Sequence, residues 1–278
     1  MPELPEVETV RRTLLPLVVG KTIERVKVHW EKMIQHPDVE TFCERLKGKT
    51  IADIQRRGKF LIFQLDDVVL VSHLRMEGRY IYEKENAPFD RHTHIFFTFT
   101  DRTELRYRDV RKFGTMHLCD KGENIPPLLH IGIEPLDEQF TVSWLTDQLQ
   151  RTKRKIKAVL LDQTIVAGLG NIYVDEVLFR SSIHPERLAA TLTTQEVEAL
   201  HEAIVETIRE AIEKGGSTVR TYVNTQGKIG TFQTQLYVYG RVNKPCRRCG
   251  EPIVKTTVAN RGTHYCKHCQ TSVSYTHL

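Results

Sequence analysis

Three features are scarce in these 278 residues, and each absence closes off a class of protein. No apolar run approaches the roughly 18 residues that a membrane-spanning helix requires, which excludes a protein built on such helices. The amino-terminal MPELPEVE is acidic and lacks both the basic start and the apolar centre of a secretory signal, so a cytosolic location is the expectation. Acidic residues nearly vanish between Arg241 and Lys267, where seven Lys and Arg face the single acid Glu251. There is no internal repeat. What remains is ordinary for a soluble globular chain: 40% hydrophobic and 27% charged residues, with enough length for two domains and a small module.

The net charge of +5 points only weakly to a polyanionic partner. Its distribution points more firmly. Residues Arg151 to Lys157 carry five cations in seven positions, in addition to the basic stretch after Arg241. Cations clustered in this way neutralise phosphates and release counterions, which makes binding strong and salt-dependent.

Along the chain the texture changes twice. Val7, Val10, Leu14 and Val18 fall on one face of a helix over residues 5–18, with Pro5 allowed in its first turn. Short β-branched and aromatic segments follow at 51–65, 68–74, 79–82, 94–99, 104–108 and 115–118, separated by Gly and Asp turns, the pattern of an antiparallel sandwich or barrel. A Pro- and Gly-containing stretch, 121–135, reads as a linker. Helical periods then return over 143–150, 153–161, 172–180 and 194–214. The last has Val197, Leu200, Ile204, Ile208 and Ala211 on one stripe, a Thr193/Glu196 capping box at its start and Gly215-Gly216 at its end. Residues 217–235 are rich in Thr, Gln and Gly and read as a mobile loop.

Cys246-x-x-Cys249 and Cys266-x-x-Cys269, sixteen residues apart, form a four-thiolate pattern suited to one structural Zn²⁺ with no open coordination position. Two disulfides are the alternative, against which the cytosolic setting and two further cysteines, Cys43 and Cys119, both argue. So small a module has little core, and the metal supplies its folding energy.

Pro2 follows the initiator Met, which aminopeptidases remove before small residues. The mature chain then starts with a secondary amine, partly neutral near pH 7 and able to attack an electrophilic sugar carbon and pass to an iminium. Glu3 beside it is placed to act as a general acid. Taken alone, Pro2–Glu6 reads more readily as a helix-capping leader than as a nucleophile.

The wider context resolves this. MPELPEVET at the start, KFL at 59–61, SHLRMEGRY at 72–80, LRYRDVRKFG at 105–114, LLDQTIVAGLGNIYVDEVLF at 160–179, GGSTVRTYVNTQGKIGTFQ at 215–233 and the closing YVYGR…CxxC…RGTHYCxxC together resemble the formamidopyrimidine-DNA glycosylases, also called 8-oxoguanine DNA glycosylase/AP lyases. The resemblance runs from Met1 to about Gln270, in order and without a missing block. It implies an α+β multidomain fold: an N-terminal antiparallel β-sandwich with flanking helices over 1–128, a helix–two-turns–helix domain over 129–223, and the end of a lesion-capping loop with a four-cysteine zinc finger over 224–270. Residues 271–278, beyond the point where the family usually ends, read as a disordered tail or a cloning or sequencing scar.

Carried over by motif, Pro2 resembles the Schiff-base nucleophile, Glu3 the acid, and Glu6 a supporting carboxylate. Lys59 resembles a lysine that contacts phosphate at the lesion, and His73 another phosphate contact. Met76, Arg111 and Phe113 resemble the side chains that enter the duplex where the damaged nucleotide has left, plugging the stack and bonding the orphaned cytosine. Asn171, after Gly168-Leu-Gly170, resembles a phosphate contact at a helix N-terminus, where it would also be the cap. Arg261 resembles the finger arginine that grips phosphates, with Tyr239 and Lys255 as helpers. Lys153 adds a further DNA contact, and Thr221 and Tyr222 lie in the loop that closes over the everted base. The implied protein is a monomer that removes oxidised purines opposite cytosine from double-stranded DNA and then cuts the strand by β,δ-elimination, with one structural zinc and no membrane association.

Two rivals remain at this level. A sister class excises oxidised pyrimidines with the same N-terminal proline, but the Leu4-Pro5-Glu6-Val7 continuation and the Met76/Arg111/Phe113 set favour the purine enzymes. A zinc-finger DNA-binding protein without catalysis would explain the basic segments and the cysteines, but neither the leader nor the 215–233 segment.

Overall fold

The apolar stripe of Val7, Val10, Leu14 and Val18 becomes the buried face of helix α1 (Leu4–Val18). A computed structural model describes residues 1–217 and 230–271. It divides into two units, Met1–Leu129 with Lys214–Thr231, and His130–Glu213 with Phe232–Leu278.

In the first unit, strands β1 (Ile23–Val28), β2 (Ile34–His36), β3 (Ile51–Arg57), β4 (Phe60–Leu65), β5 (Val68–His73), β6 (Arg79–Lys84), β7 (Thr93–Phe99), β8 (Thr103–Arg108) and β9 (Thr115–Asp120) form two sheets, with helix α2 (Val39–Leu46) between β2 and β3. Their orders are β1-β7-β8-β6 and β2-β9-β5-β4-β3. Side chains from both, among them Ile54, Phe63, Leu70, Phe97 and Leu105, share one core with α1. The pairing departs from a purely antiparallel sandwich at one place, where β2 runs parallel to β9. β1 and β2 carry little periodic signal in the sequence, whereas sequence reasoning missed α2 despite Val39, Phe42, Cys43 and Leu46 at helical spacing and Asp38 as its N-cap. The expected linker over 121–135 is also structured. Ile125 and Leu128 cover the outer face of β4 and β5 at Ile62, Val69 and Val71, which is why β5 is buried along its whole length.

The second unit holds α3 (Val142–Gln150), α4 (Ile156–Leu160), α5 (Asn171–Arg180), α6 (Thr194–Glu213) and the hairpin of β10 (Val254–Val258) and β11 (Arg261–Tyr265). The stripe from Val197 to Ala211 is buried, and the Thr193/Glu196 box forms with both hydrogen bonds. Helix α4 starts later than the period suggested. Thr152 accepts the N–H of Arg154 and Lys155 is extended, so Lys153 lies in a turn rather than on a helix. Helix α5 is buried on every side from Ile172 to Phe179, because α4, α6 and β11 all pack on it. Among the described residues no helix is long and apolar enough to cross a membrane.

Candidate active site and nucleic-acid interface

Pro2, Glu3 and Glu6 are buried together at the start of α1. A helix start leaves backbone N–H groups without intrahelical partners, and here the two glutamates supply acceptors reciprocally. Glu3 accepts from the N–H of Glu6, and Glu6 Oε2 accepts from the N–H of Glu3 at 2.8 Å. Glu6 Oε1 accepts from the backbone N–H of Ser217 at 2.7 Å and from its hydroxyl at 3.3 Å. Gly216 permits that approach. Its φ is +79°, and a Cβ added there would fall 2.7 Å from Glu6 Oε1, so any other residue would be both strained and in collision. Met1, ahead of this buried start, is 45% exposed.

Lys59 follows Gly58 in the β3–β4 turn and is buried. His73, at the end of β5, pairs with Phe60 and lies edge-on to its ring at 4.5 Å. Burial, then the charges of Arg75 and Lys59, push its pKa down to about 3. Nδ1 of His73 accepts the N–H of Arg75 at 2.9 Å, so the ring proton sits on Nε2 and His73 is a neutral donor, not a cation.

Glu8 ties this turn to the chain start. It accepts from Arg11, Arg12 and Arg56 at 2.8–3.1 Å. Burial opposes its charge, but the Arg11 and Arg12 hydrogen bonds and the charges of Arg11 and Arg56 win and hold the carboxyl at about 2. Arg56 also donates to the carbonyl of Gly58 at 3.0 Å, and Arg11 to that of Ile54 at 3.2 Å. One carboxylate therefore aligns the helix bearing Glu3 and Glu6 with the turn bearing Lys59.

Met76, Arg111 and Phe113 stand on two loops of the same unit. The N–H of Gly78 donates to the carbonyl of Leu74 at 2.9 Å and closes the first loop around an exposed Met76. Phe113 is 51% exposed, with the Arg111 guanidinium 5.0 Å over its ring. Buried Asp109 organises this second loop, accepting the N–H groups of Arg111, Phe113 and Gly114 at 3.0, 2.9 and 2.8 Å.

In the second unit, Asn171 opens α5, but the N-cap is Gly170. The expected capping role is thus corrected: Asn171 Nδ2 instead donates to the carbonyl of Gly262 at 2.8 Å, and its Oδ1 is buried without a hydrogen-bond partner among the described residues. Gly262 neighbours Arg261 in the hairpin. Lys157, wholly buried, donates to the same carbonyl at 3.3 Å and to Asp175 at 2.6 Å. The other oxygen of Asp175 accepts from the backbone N–H of His264 at 2.9 Å and contacts its Nδ1 at 3.2 Å. The Tyr239 ring lies edge-on to His264 at 4.8 Å. Glu176 accepts the N–H groups of Tyr237, Val238 and Tyr239 at 2.8–2.9 Å. Burial raises its pKa, and these donors oppose the rise. Arg261 and Lys255, on the hairpin, and Lys153, in the turn before α4, are exposed. Thr221 and Tyr222 lie outside the described residues, as do 272–278 of the expected tail.

The five-cation run is only partly available to phosphate. Lys157 is buried and Arg154 and Lys155, though exposed, pair with Asp162 and Glu186, so among the described residues of the run Arg151 and Lys153 are the exposed cations without an ion pair.

The four cysteines present Sγ atoms within 4.8 Å of one another. Cys249 and Cys266 are separated by 3.5 Å and Cys246 and Cys269 by 3.9 Å. These gaps far exceed the roughly 2.05 Å of a disulfide and suit thiolates about 2.3 Å from a central Zn²⁺. The N–H groups of Arg248 and Cys269 point at Cys246 Sγ and Cys266 Sγ, each at 3.4 Å, and would orient the ligands. The site is a closed set of four thiolates for one structural zinc. Arg248 joins it to α5 by donating to the terminal carbonyls of Phe179 and Arg180 at 3.0 Å. Cys119 is buried and Cys43 half-buried, and both are free thiols.

Sequence reasoning missed Gly216 with Ser217, Glu8 with Arg56, Asp109, and the Lys157–Asp175–His264 group. A faint signal existed for the last two, since acids inside otherwise apolar or basic segments need partners when buried.

Residues 1–116 match the family model described as the formamidopyrimidine-DNA glycosylase N-terminal domain, 131–223 the formamidopyrimidine-DNA glycosylase H2TH domain, and 243–271 a zinc finger found in FPG and IleRS. The formamidopyrimidine-DNA glycosylase of Geobacillus kaustophilus is 60% identical over 273 residues, covering 97% of this chain and 100% of that protein. That of Cytobacillus firmus is 60% identical over 274 residues, with the same coverage. Lactococcus lactis Fpg, solved in complex with an abasic site containing DNA, superposes with a TM-score of 0.92 at 45% identity, covering 96% of this chain and 99% of the other. A mutant of that protein, solved with a Fapy-dG containing DNA, gives the same TM-score and identity, covering 97% and 99%. Over essentially its whole length, the chain belongs to the formamidopyrimidine-DNA glycosylase family.

Proposed function

We propose that this chain is a bifunctional DNA glycosylase and AP lyase that excises 8-oxoguanine and formamidopyrimidines opposite cytosine from duplex DNA, acting as a monomer in the bacterial cytoplasm. Removal of Met1 frees the nitrogen of Pro2 as a secondary amine. Its lone pair attacks C1′ of the everted nucleotide, the glycosidic C–N bond breaks, and the base departs with that bond's electron pair and the proton given up by the Pro2 nitrogen. Glu3 protonates O4′ as the sugar opens, and the Pro2 nitrogen shares its electrons with C1′ to form an iminium. The iminium acidifies C2′. Proton loss there expels the 3′ phosphate, and a second proton loss along the conjugated chain expels the 5′ phosphate, which leaves a one-nucleoside gap.

Lys59 and the neutral Nε2–H of His73 hold phosphate near the lesion. Asn171 and Arg261, helped by Tyr239, Lys255 and Lys153, hold the flanking backbone, where each cation adds salt-dependent affinity. Met76, Arg111 and Phe113 occupy the space left in the stack, and Thr221 and Tyr222 close over the extruded base. Zinc has no open position and takes no part in the chemistry.

The observation that supports this reading is the buried chain start. Glu3 and Glu6 satisfy each other's backbone, and Gly216 exists as glycine to let Ser217 reach Glu6. The Glu3/Glu6 pair alone is a capping box, but a mere capping leader has no need of the Ser217 contact. Borohydride should trap a covalent adduct with lesion-containing DNA once mass spectrometry has shown Met1 to be removed. Acetylating the Pro2 amine should lower trapping by at least about a thousandfold with duplex affinity nearly unchanged. Undiminished trapping by the acetylated protein would overturn the assignment.

A further inference from the structure

Gly78 closes the Met76 loop and Gly114 closes the Arg111–Phe113 loop, yet neither lies in the left-handed region where glycine is favoured. Space is the reason for both. A Cβ added to Gly78 would fall 2.1 Å from the hydroxyl oxygen of Tyr107, and one added to Gly114 would fall 1.8 Å from the same atom. Tyr107 rises from β8 and is wholly buried. Its ring lies edge-on to Tyr80 at 5.2 Å, and Tyr80 lies 5.5 Å from Phe63 in the facing sheet. One side chain rooted in the core therefore seats its tip between two bare backbones, each carrying residues expected to enter DNA. Asp109 fixes the second loop independently through three N–H groups.

We propose that Tyr107 is a positioning residue that locks the two loops into a single rigid reader, so that Met76, Arg111 and Phe113 enter the duplex together. The inference rests on the duplex-entry roles proposed for those three. Prying a base out of the stack costs a few kcal/mol. Loops free to yield one at a time would give way under that load instead of displacing the base. Loops keyed to a common core residue transmit it, because a close-packed interior resists deformation.

The test is a double-mutant cycle in two backgrounds. Single-turnover excision from an 8-oxoguanine:cytosine duplex is measured for M76A, F113A and the pair, with and without Y107F, and cleavage of a single-stranded abasic oligonucleotide is measured alongside. In the native background the pair should lose less than the product of the single losses, by about fivefold or more, and in Y107F the losses should multiply to within about twofold. Y107F alone should slow duplex excision about tenfold and leave single-strand cleavage unchanged, since a single strand offers no stack to open. G114A, whose added Cβ would meet Tyr107 at all three of its nearest atoms, should reproduce that split if Y107F proves unstable. Equal coupling in both backgrounds, or equal losses on both substrates, overturns the proposal. If M76A and F113A are silent on duplex while borohydride still traps Pro2, the reader falls and the catalytic assignment stands. If trapping fails, the catalytic assignment falls.

Discussion

Asp109 in the first unit and Glu176 in the second perform the same task. Each is buried, and each gathers three backbone N–H groups and so shapes a loop segment, the Arg111–Phe113 loop in one case and the Tyr237–Tyr239 approach to the finger in the other. What lies beneath them differs. The loops of the first unit rest on a core shared by two sheets and α1. The finger rests on a cluster of Phe179, Val238 and Ile253 with two of its own cysteines, and on the buried Lys157–Asp175 pair. A broad apolar core spreads the cost of a local loss, whereas a small module depends on a few discrete groups, each of them costly to remove.

The largest expected break in this comparison is metal removal. Structural zinc in such modules is worth about 10–16 kcal/mol of binding free energy, so a chelator should unfold the finger and lower duplex affinity at least about a hundredfold. Calorimetry should show the transition of the first unit persisting. A single shifted transition would mean that the two units do not differ as described. Next is K157M, which strands the Asp175 carboxylate in the interior and should cost about 3–5 kcal/mol, read by denaturant unfolding of the second unit. The K157M/D175N pair, which leaves no uncompensated charge, should recover part of that loss.

The third lies in the first unit and depends on pH. The Glu8 carboxyl is held at about 2, against an ordinary 4.5. Its contribution is complete above the unfolded value and fades as pH falls from about 4.5 towards 2, where the unfolded chain takes up the proton first. E8Q should therefore cost on the order of 3 kcal/mol at pH 7 and progressively less in acid, as urea melts at pH 7 and pH 3 would show. A cost independent of pH would mean that Glu8 acts through packing and not through charge.

Much of this was legible in advance where the signal was local. The α1 and α6 stripes, the Thr193/Glu196 box and the two CxxC knuckles all depend on neighbours within a turn or two, and all formed. The family resemblance covered what local periods could not, including the loops bearing Met76 and Phe113. Three readings strayed for a common reason. Lys157 belonged to a basic run but is buried against Asp175, Asn171 stood at a helix start but bonds the hairpin, and 121–135 does join the two units, as a linker should, but also covers a sheet with Ile125 and Leu128. In each case the deciding partner is distant in sequence.

The order of residues alone determined the helical and strand periods and the zinc ligand set, because spacing and residue type are properties of the chain itself. Only the tertiary structure decided that Glu6 meets Ser217 across 211 positions, that one hydroxyl at Tyr107 crowds two glycines, and that the proton of His73 sits on Nε2. A buried polar group must find a partner wherever the fold places one, and no local pattern encodes which partner that is.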